Sequence, residues 1–256
     1  MDGSPLTADP LARLAKLEAD FQRMLETEKL EAMAEFAAGA GHEINNPLTV
    51  ISGRAQLLLH EETDPERRHA LALISTQAKR VYEMIADMML FARPPRPEPT
   101  RFNVVDLIDS LIVDLAAAAE RQETHLAFVG SREALEIEAD ITQLAVALRA
   151  LCQNAMEAIG NGGHIEISLE QHDGEVKICV HDDGPGITPE QRHHIFDPFY
   201  SARQAGRGLG LGLSKVWRIV TNHGGRIDVA SQAGQGTTFT LVLPSTNVLP
   251  HEVDSR

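Results

Sequence analysis

Apolar positions divide the chain into two regions of different period. Leu11, Leu14, Leu17, Phe21, Met24 and Leu30 recur at helical intervals with Glu, Lys and Arg between them. Ile44, Leu48, Ile51, Ala55 and Leu58 then follow in an alternating four-and-three spacing. The pattern predicts a helix from Leu11 into the segment around His42, about 45 Å long or more at roughly 1.5 Å per residue. A stripe of that length needs a partner, which points to a parallel coiled coil in a dimer. Thr63-Asp64-Pro65 stops the helix and starts another, because Asp caps and Pro fits a first helical turn. In the second helix Leu71, Ile74, Ala78, Val81, Ile85 and Met88 keep the same spacing. Two antiparallel helices bury too little apolar area to stand alone, so two hairpins are expected to form a four-helix bundle.

Beyond residue 102 the period changes. Residues 103–121 read as a helix and 124–129 as a short strand. Asp140 is a fair N-cap for a helix running to Ile159, closed by Gly160-Asn-Gly-Gly163. Ile165, Ile167 and Leu169 alternate with polar residues, as do Val176, Ile178 and Val180, and Asp173-Gly174 between them predicts a β-hairpin. A helix follows Gly212, then a strand at Ile227 and Val229, a Gly-rich turn at 233–236 and a last strand with Phe239, Leu241 and Leu243. The fold class is therefore multi-domain: an all-α hairpin followed by an α+β two-layer sandwich with helices on one face. Ala92-Arg-Pro-Pro-Arg-Pro-Glu-Pro-Thr100 cannot continue a helix and reads as a stiff linker. The expected boundaries are an arm and helix start over 1–24, a helical domain over 25–92, a linker over 93–101, a second domain over 102–244 and a flexible tail over 245–256. Residues 1–10 are expected to be loose, and the chain from Pro244 unstructured.

Composition narrows the partners. The 256 residues carry 23 Lys+Arg against 37 Asp+Glu, a formal charge of -14. That charge repels nucleic acid phosphates and anionic membrane surfaces. No apolar run approaches the roughly 20 residues that span a bilayer, and no secretory signal pattern opens the chain, so no direct membrane insertion is expected. Cys152 and Cys179 lie in apolar surroundings without CxxC spacing and read as buried free thiols. The expected compartment is the cytoplasm.

One stretch suggests a site for chemistry, the alternative being an exposed His on an ordinary helix. In Ala38-Gly-Ala-Gly-His-Glu-Ile-Asn-Asn-Pro-Leu48, His42 lies off the apolar stripe beside Glu43, so both should face solvent or a partner. Pro47 sits mid-helix, where it removes a donor and crowds the carbonyl of Glu43 at about 3 kcal/mol. An imidazole nucleophile must be neutral, and a side chain with an ordinary pKa of about 6.5 makes that form available near neutrality.

Four stretches of the second domain suit a nucleotide. Asn154, a polar residue on an otherwise apolar helix, offers an amide oxygen for Mg²⁺ or is a hydrogen-bonded core residue. Asp182-Asp-Gly-Pro-Gly-Ile187 places a carboxylate at a strand end, able to accept from an exocyclic amine, with Gly184 and Gly186 allowing close approach. Ile195-Phe-Asp-Pro-Phe-Tyr-Ser-Ala-Arg203 is an aromatic loop ending in a cation. Gly206-Arg-Gly-Leu-Gly-Leu-Gly-Leu-Ser214 carries Gly208, Gly210, Leu211 and Gly212 straight into a helix, where free amides can hold phosphate. It is neither a Rossmann fingerprint nor a Walker loop, and a mobile glycine lid fits it better. Gly234-Gln-Gly-Thr-Thr-Phe239, with Thr237, supplies a further tight turn.

Taken together these motifs resemble those of sensor histidine kinases of two-component signalling over residues 25–244. His42-Glu-Ile-Asn-Asn-Pro-Leu48 resembles the phosphoacceptor box, and the later stretches resemble, in order, the N, G1, F, G2 and G3 boxes of the Bergerat ATP-binding fold shared with gyrase, Hsp90 and MutL. The resemblance implies a dimerisation and phosphotransfer hairpin, a homodimer, ATP and Mg²⁺ as cofactors, and autophosphorylation of His42 with Glu43 orienting the ring. Asn154 then binds Mg²⁺ and Asp182 binds adenine. Gly184, Gly186, Gly208, Gly210, Leu211, Gly212 and Thr237 shape the pocket and lid, and Arg203 lies near the phosphates. Phosphate would pass to an aspartate of a separate response-regulator receiver domain, and Asn46, one turn past His42, matches the position that orients water for dephosphorylating that partner. The chain departs from the family at Ala150, where another Asn is frequent, at Leu209, where Thr is common, and at Arg203, where Lys is. A degenerate scaffold or phosphatase is disfavoured by the intact His42, Asn154 and Asp182; an unrelated Bergerat ATPase has no need of the His42 box; a His-Glu-x-x-His zinc site fails because Asn46 stands at the second ligand position. No sensor domain is evident in the N-terminal stretch, so the reading is a soluble kinase fed by a partner or part of a longer protein.

Overall fold

The computed structural model describes residues 10–200 and 209–245. The chain divides into two compact units, Met1–Pro94 and Pro95–Arg256. The first is a helical hairpin. Its helix α1 spans Pro10–Glu61, 52 residues without a break, about 78 Å at 1.5 Å per residue. Pro47 is accommodated inside it. The hairpin turn is closed from both sides. Arg68 donates from Nη1 to the carbonyls of Leu59 (3.0 Å) and Glu62 (2.7 Å), satisfying groups at the end of α1. Asp64 caps helix α2 (Pro65–Ala92), its Oδ1 accepting from Arg67 N at 2.9 Å, with Pro65 in the first turn.

The face of α1 turned inward differs by one position from the expected stripe. Ala34, Ala37, Gly41 and Ala55 are buried, with Leu48 and Ser52 half-buried between them. Ile44, Ile51 and Leu58 are exposed. Small residues let α2 approach closely along this line, which leaves the larger apolar side chains on the flank. On α2, Ala78 is buried whereas Ile74 and Val81 are exposed. Leu48, Ile51, Leu73, Ile74, Ala78 and Val81 line one apolar groove of the hairpin. The hairpin by itself leaves that groove open.

The second unit begins with strand β1 (Thr100–Asn103) and helix α3 (Val104–Arg121), followed by β2 (His125–Val129) and β3 (Glu136–Ala139). Helix α4 (Ile141–Ile159) leads to β4 (His164–His172) and β5 (Glu175–Asp182). A single turn α5 (Pro189–Arg192), helix α6 (Gly212–Asn222), β6 (Arg226–Ser231) and β7 (Thr237–Pro244) complete it. The main sheet has the order β2-β4-β5-β7-β6; β2 runs parallel to β4 and the other pairs are antiparallel. Strand pairing β1–β3 forms a separate two-stranded ladder. Each of its strands is only four residues long, too short for alternation to declare itself.

Burial follows the sequence periods. Ile165, Ile167, Val176, Ile178, Val180, Phe239 and Leu241 are buried on one face of the sheet beneath α3, α4 and α6. From α3 the core receives Ile108, Leu111 and Leu115, from α4 Leu144, Leu148 and Leu151, and from α6 Val216 and Ile219. Each such side chain stabilises the fold by about 1.5–3 kcal/mol on burial. Turn chemistry sets the ends: Asp140 Oδ1 caps α4 by accepting from Gln143 N at 3.0 Å, and Gly160 closes it at φ 84°. Asp173 (φ 50°) and Gly174 (φ 79°) make the β4–β5 turn, both left-handed as a primed hairpin turn requires.

One expectation, that the chain is unstructured from Pro244, is corrected here, and two linker residues make contacts of their own. Pro95 and Glu98 are fastened to the second unit: Gln143 Nε2 donates to Pro95 O (3.1 Å) and Glu98 N donates to Asp140 Oδ2 (3.0 Å). Pro244 closes β7, and Ser245 N donates to Gly174 O at 2.8 Å, so the chain stays ordered past its expected end. The rest of the expected loose arm and tail lies outside the described residues. Among the described residues no helix is long and apolar enough to cross a membrane.

Candidate nucleotide and phosphoacceptor sites

His42 sits on α1 with Gly41 behind it. A Cβ added at position 41 would meet Ile85 Cγ2 at 3.3 Å, so this turn lies directly against α2 and the next residue points away. His42, Glu43 and Asn46 are all exposed. His42 and Asn46 are four residues apart and share a face. Asn45 turns inward: its Oδ1 is buried without a hydrogen-bond partner among the described residues, while its carbonyl accepts from Thr49 Oγ1 at 2.8 Å. A proline at 47 withholds the N–H that Glu43 O would otherwise accept.

In the second unit, Asp182 ends β5 and is 2% exposed. Burial pushes its carboxyl above the ordinary range, against the N–H groups of Gly184 and Thr237 that favour the charged form. Gly184 N donates to Asp182 Oδ1 at 3.0 Å, and a Cβ on Gly184 would overlap that oxygen at 2.7 Å. A Cβ added to Gly186 (φ 73°) would overlap Gln232 O, so only glycine fits there. The same added Cβ on Gly184 would lie 3.6 Å from Ala158 Cβ of α4. Asn154, half-buried, is one turn before Ala158 on the same face, so α4 presents it toward this loop. Thr237, 4% exposed, begins β7 opposite Asp182 in the sheet register. Asp182, Gly184, Gly186 and Thr237 thus surround one strand end, with Asn154 on the helix beside it.

The start of α6 has the character of an anion site. Leu211 is buried and provides no side-chain cap, leaving amides of the first turn without that partner. A Cβ at Gly212 would meet nothing within 4 Å, so the fold itself does not require glycine there; its absence of a side chain leaves open space at the helix start. Gly210 (φ 68°) is demanded by packing: a Cβ there would lie 2.5 Å from Tyr200 O. Its carbonyl accepts from Phe199 N at 3.1 Å, and Phe199 itself is left-handed at φ 66°. Arg203 and Gly208 lie outside the described residues. These features fit a purine base at Asp182 and phosphates near α6, and a hard amide oxygen at Asn154 fits a cation that takes most of its ligands from phosphate and water.

Two residues escaped the sequence reading. Asp183 turns away from the cleft: its Oδ1 accepts from His164 N (2.8 Å) and its Oδ2 meets His164 Nδ1 (3.1 Å). Those contacts, the backbone N–H first, hold its carboxyl below the ordinary range. Ser231 at the end of β6 bonds to three separate groups, and a serine before a Gly-rich turn carries no signal of that.

Residues 32–97 match the family described as the His Kinase A (phospho-acceptor) domain, and residues 139–247 match the Histidine kinase-, DNA gyrase B-, and HSP90-like ATPase family. The sensor histidine kinase ZraS of Escherichia coli (strain K12) is 36% identical over 222 residues, 86% of this chain and 47% of ZraS. The chain therefore spans about half the length of that relative. The solved catalytic domain of histidine kinase ThkA is 34% identical, with a TM-score of 0.54 over 59% of this chain and 97% of that one. ThkA in complex with response regulator protein TrrA is 29% identical, with a TM-score of 0.63 over 95% and 69% of the two chains. Full-length ShkA in complex with AMPPNP is 26% identical, with a TM-score of 0.71 over 84% and 46%.

Proposed function

The chain belongs to the sensor histidine kinases of two-component systems, and from that premise we propose that it phosphorylates His42 from ATP and passes the phosphoryl group to an aspartate of a response-regulator receiver domain. The observation that carries the reading is the presence in one chain of an exposed imidazole on a helix and a buried carboxylate in a glycine-lined strand end. The functional domains follow as 25–92 for dimerisation and phosphotransfer and 102–244 for ATP binding, joined by the Pro-rich 93–101.

In the nucleotide site Asp182 accepts a hydrogen bond from the exocyclic amine of adenine, and the amides opening α6 receive phosphate oxygens. Arg203 and Gly208 belong to the lid and phosphate side. Asn154 would hold Mg²⁺, which would supply neutralisation of the phosphate charge. At the acceptor, Glu43 takes the hydrogen bond of one ring nitrogen of His42, which leaves the other nitrogen's lone pair to attack phosphorus and stabilises the cation that forms. The P–O bond to ADP breaks as the N–P bond forms, and the ring proton passes toward Glu43. Asn46, sharing the face of His42, orients water for hydrolysis of the phosphorylated partner. The solved ThkA–TrrA complex supports a receiver domain as that partner.

The open groove of Leu48, Ile51, Leu73, Ile74 and Val81 supports a homodimer in which a second hairpin covers it. An acidic chain using ATP is at home in the cytoplasm, without direct membrane insertion of the described residues and without nucleic acid as a partner.

Incubation with Mg²⁺ and γ-labelled ATP tests the reading. Acid-labile, base-stable label on the wild type and none on His42→Ala is the expected result. Equal label on both would move the acceptor elsewhere, and ATP binding without label would reduce the chain to a scaffold or phosphatase.

A further inference from the structure

The two loops that flank Asp182 are tied together by a backbone hydrogen bond and by one serine hydroxyl. The loop 183–187 leaves β5, and the turn 232–236 precedes β7. Their backbones meet at Gly234 N, which donates to Pro185 O at 2.7 Å, and at Gly186, whose missing side chain admits Gln232 O. Gly236 lies so close to Asp182 O that a Cβ would stand 1.9 Å from it. Into this contact β6 projects Ser231. Its Oγ accepts from Ile187 N at 2.8 Å, donates to Gly236 O at 2.9 Å and lies 3.0 Å from Thr237 Oγ1.

A serine hydroxyl has one proton and two lone pairs. The proton serves Gly236 O and one lone pair serves Ile187 N–H, so Thr237 must be the donor in the third bond. Every bonding position of the hydroxyl is used, and the three partners come from the far end of the first loop, the end of the turn, and the strand residue paired with Asp182. Alanine here would leave the Ile187 amide and the Gly236 carbonyl without this partner at once.

We infer that Ser231 is a positioning residue for the base end of the nucleotide site: its hydroxyl fixes the loop 183–187 against the turn 232–236 and so holds Asp182 and its glycine wall in the geometry that receives a purine. The inference rests on the reading of Asp182 as the base acceptor. It acts at the base, not at the phosphates, so its removal weakens every adenine nucleotide alike.

Calorimetric titration of the full chain with ADP and with ATP, each with Mg²⁺, tests this on wild type, Ser231→Ala, Ser231→Thr and Asp182→Asn. Ser231→Ala is expected to bind both nucleotides about tenfold more weakly, a change of about 1.4 kcal/mol. Ser231→Thr, which keeps the hydroxyl, should recover most of the loss, and saturating ATP should restore the autophosphorylation rate of Ser231→Ala. Wild-type affinity in Ser231→Ala, a loss confined to ATP, or a Thr variant as weak as the Ala variant overturns the inference. Should Ser231→Ala fail to fold by circular dichroism, Ser231→Cys carries the test, because a thiol fills the space but bonds weakly; wild-type affinity there overturns it equally. If Asp182→Asn binds as tightly as wild type, or wild type binds neither nucleotide, the base-site reading itself fails and the inference with it. Loss in Asp182→Asn alone condemns only the role of Ser231.

Discussion

Gly41 of α1 lies close against Ile85 of α2: a methyl there would approach Ile85 Cγ2 to 3.3 Å, tight enough to ask that side chain to give by a few tenths of an ångström. This contact seats the turn just before His42 on the second helix and sends His42 outward. Alanine at 41 gains about 1 kcal/mol of helix propensity and asks only a terminal methyl to shift. Gly41→Ala should therefore keep its thermal midpoint within a few degrees of wild type. Gly41→Leu overfills the contact, and calorimetry should show a loss of about 2 kcal/mol or more.

Asp182 is a buried carboxylate whose pKa lies above the ordinary range, chiefly because burial disfavours its charge. Its charged form accepts two hydrogen bonds where its protonated form has fewer acceptors to offer. Nucleotide affinity should thus decline on acidification at a pH higher than an ordinary aspartate would give, and Asp182→Asn should bind weakly with no such dependence. Titrations from neutrality to mild acid read this directly.

Gly236 and Gly234 are both left-handed, at φ 84° and 77°, yet only the first is closed in by backbone. Gly234→Ala should cost about 1–2 kcal/mol for the left-handed residue alone. Gly236→Ala adds an overlap with Asp182 O that must spread β5 from β7, so its melting temperature should fall further and nucleotide binding should fall with it.

Cys152 is buried on α4, and burial pushes its thiol up to about 12. A thiol reagent at pH 8 should leave it untouched in the native protein and react once denaturant is added. The native state holds this proton above the pH at which the unfolded chain releases it. The contribution to stability is complete below pH ~9 and is lost as pH rises toward 12, by at most about 1.4 kcal/mol per pH unit.

Ile51 and Ile74, 47% and 45% exposed, face the open groove of the hairpin. Ile51→Glu and Ile74→Glu put charge where a second hairpin would bring hydrocarbon. Analytical ultracentrifugation should find the wild type dimeric and both variants monomeric, with the fold of the ATP-binding unit intact by circular dichroism. A wild type that sediments as a monomer at all concentrations would refute the proposed bundle.

Long periodic elements and special turn residues were legible in the sequence. The caps at Asp64 and Asp140, the ends of α4 and the Asp173-Gly174 turn lie where residue chemistry puts them, because each is decided by neighbours within four positions. What escaped depends on contacts distant in sequence. The ladder of β1 with β3 joins residues more than thirty positions apart, and each strand is too short to show a period. The identity of the buried stripe on α1 turned on whether large or small residues face α2, which spacing alone leaves open by one position. Asp182 could be picked out as a strand-end carboxylate, whereas Asp183 beside it gave no hint that it would turn toward His164. Ser231 was invisible because its three partners come together only when β6 and β7 are paired.

The seam between α1 and α2 is not uniform along its length. Around Ala34, Ala37 and Gly41 the α1 side is built of small residues, and α2 sets larger ones such as Ile85 against them. Past Pro47 the seam changes character: Leu48 wedges into the groove and Ser52 Oγ meets Ser75 Oγ at 3.2 Å, which key α1 to its neighbour. His42 therefore stands at the junction of the two kinds of packing, one residue past the Gly41–Ile85 contact and ahead of the Ser52–Ser75 contact.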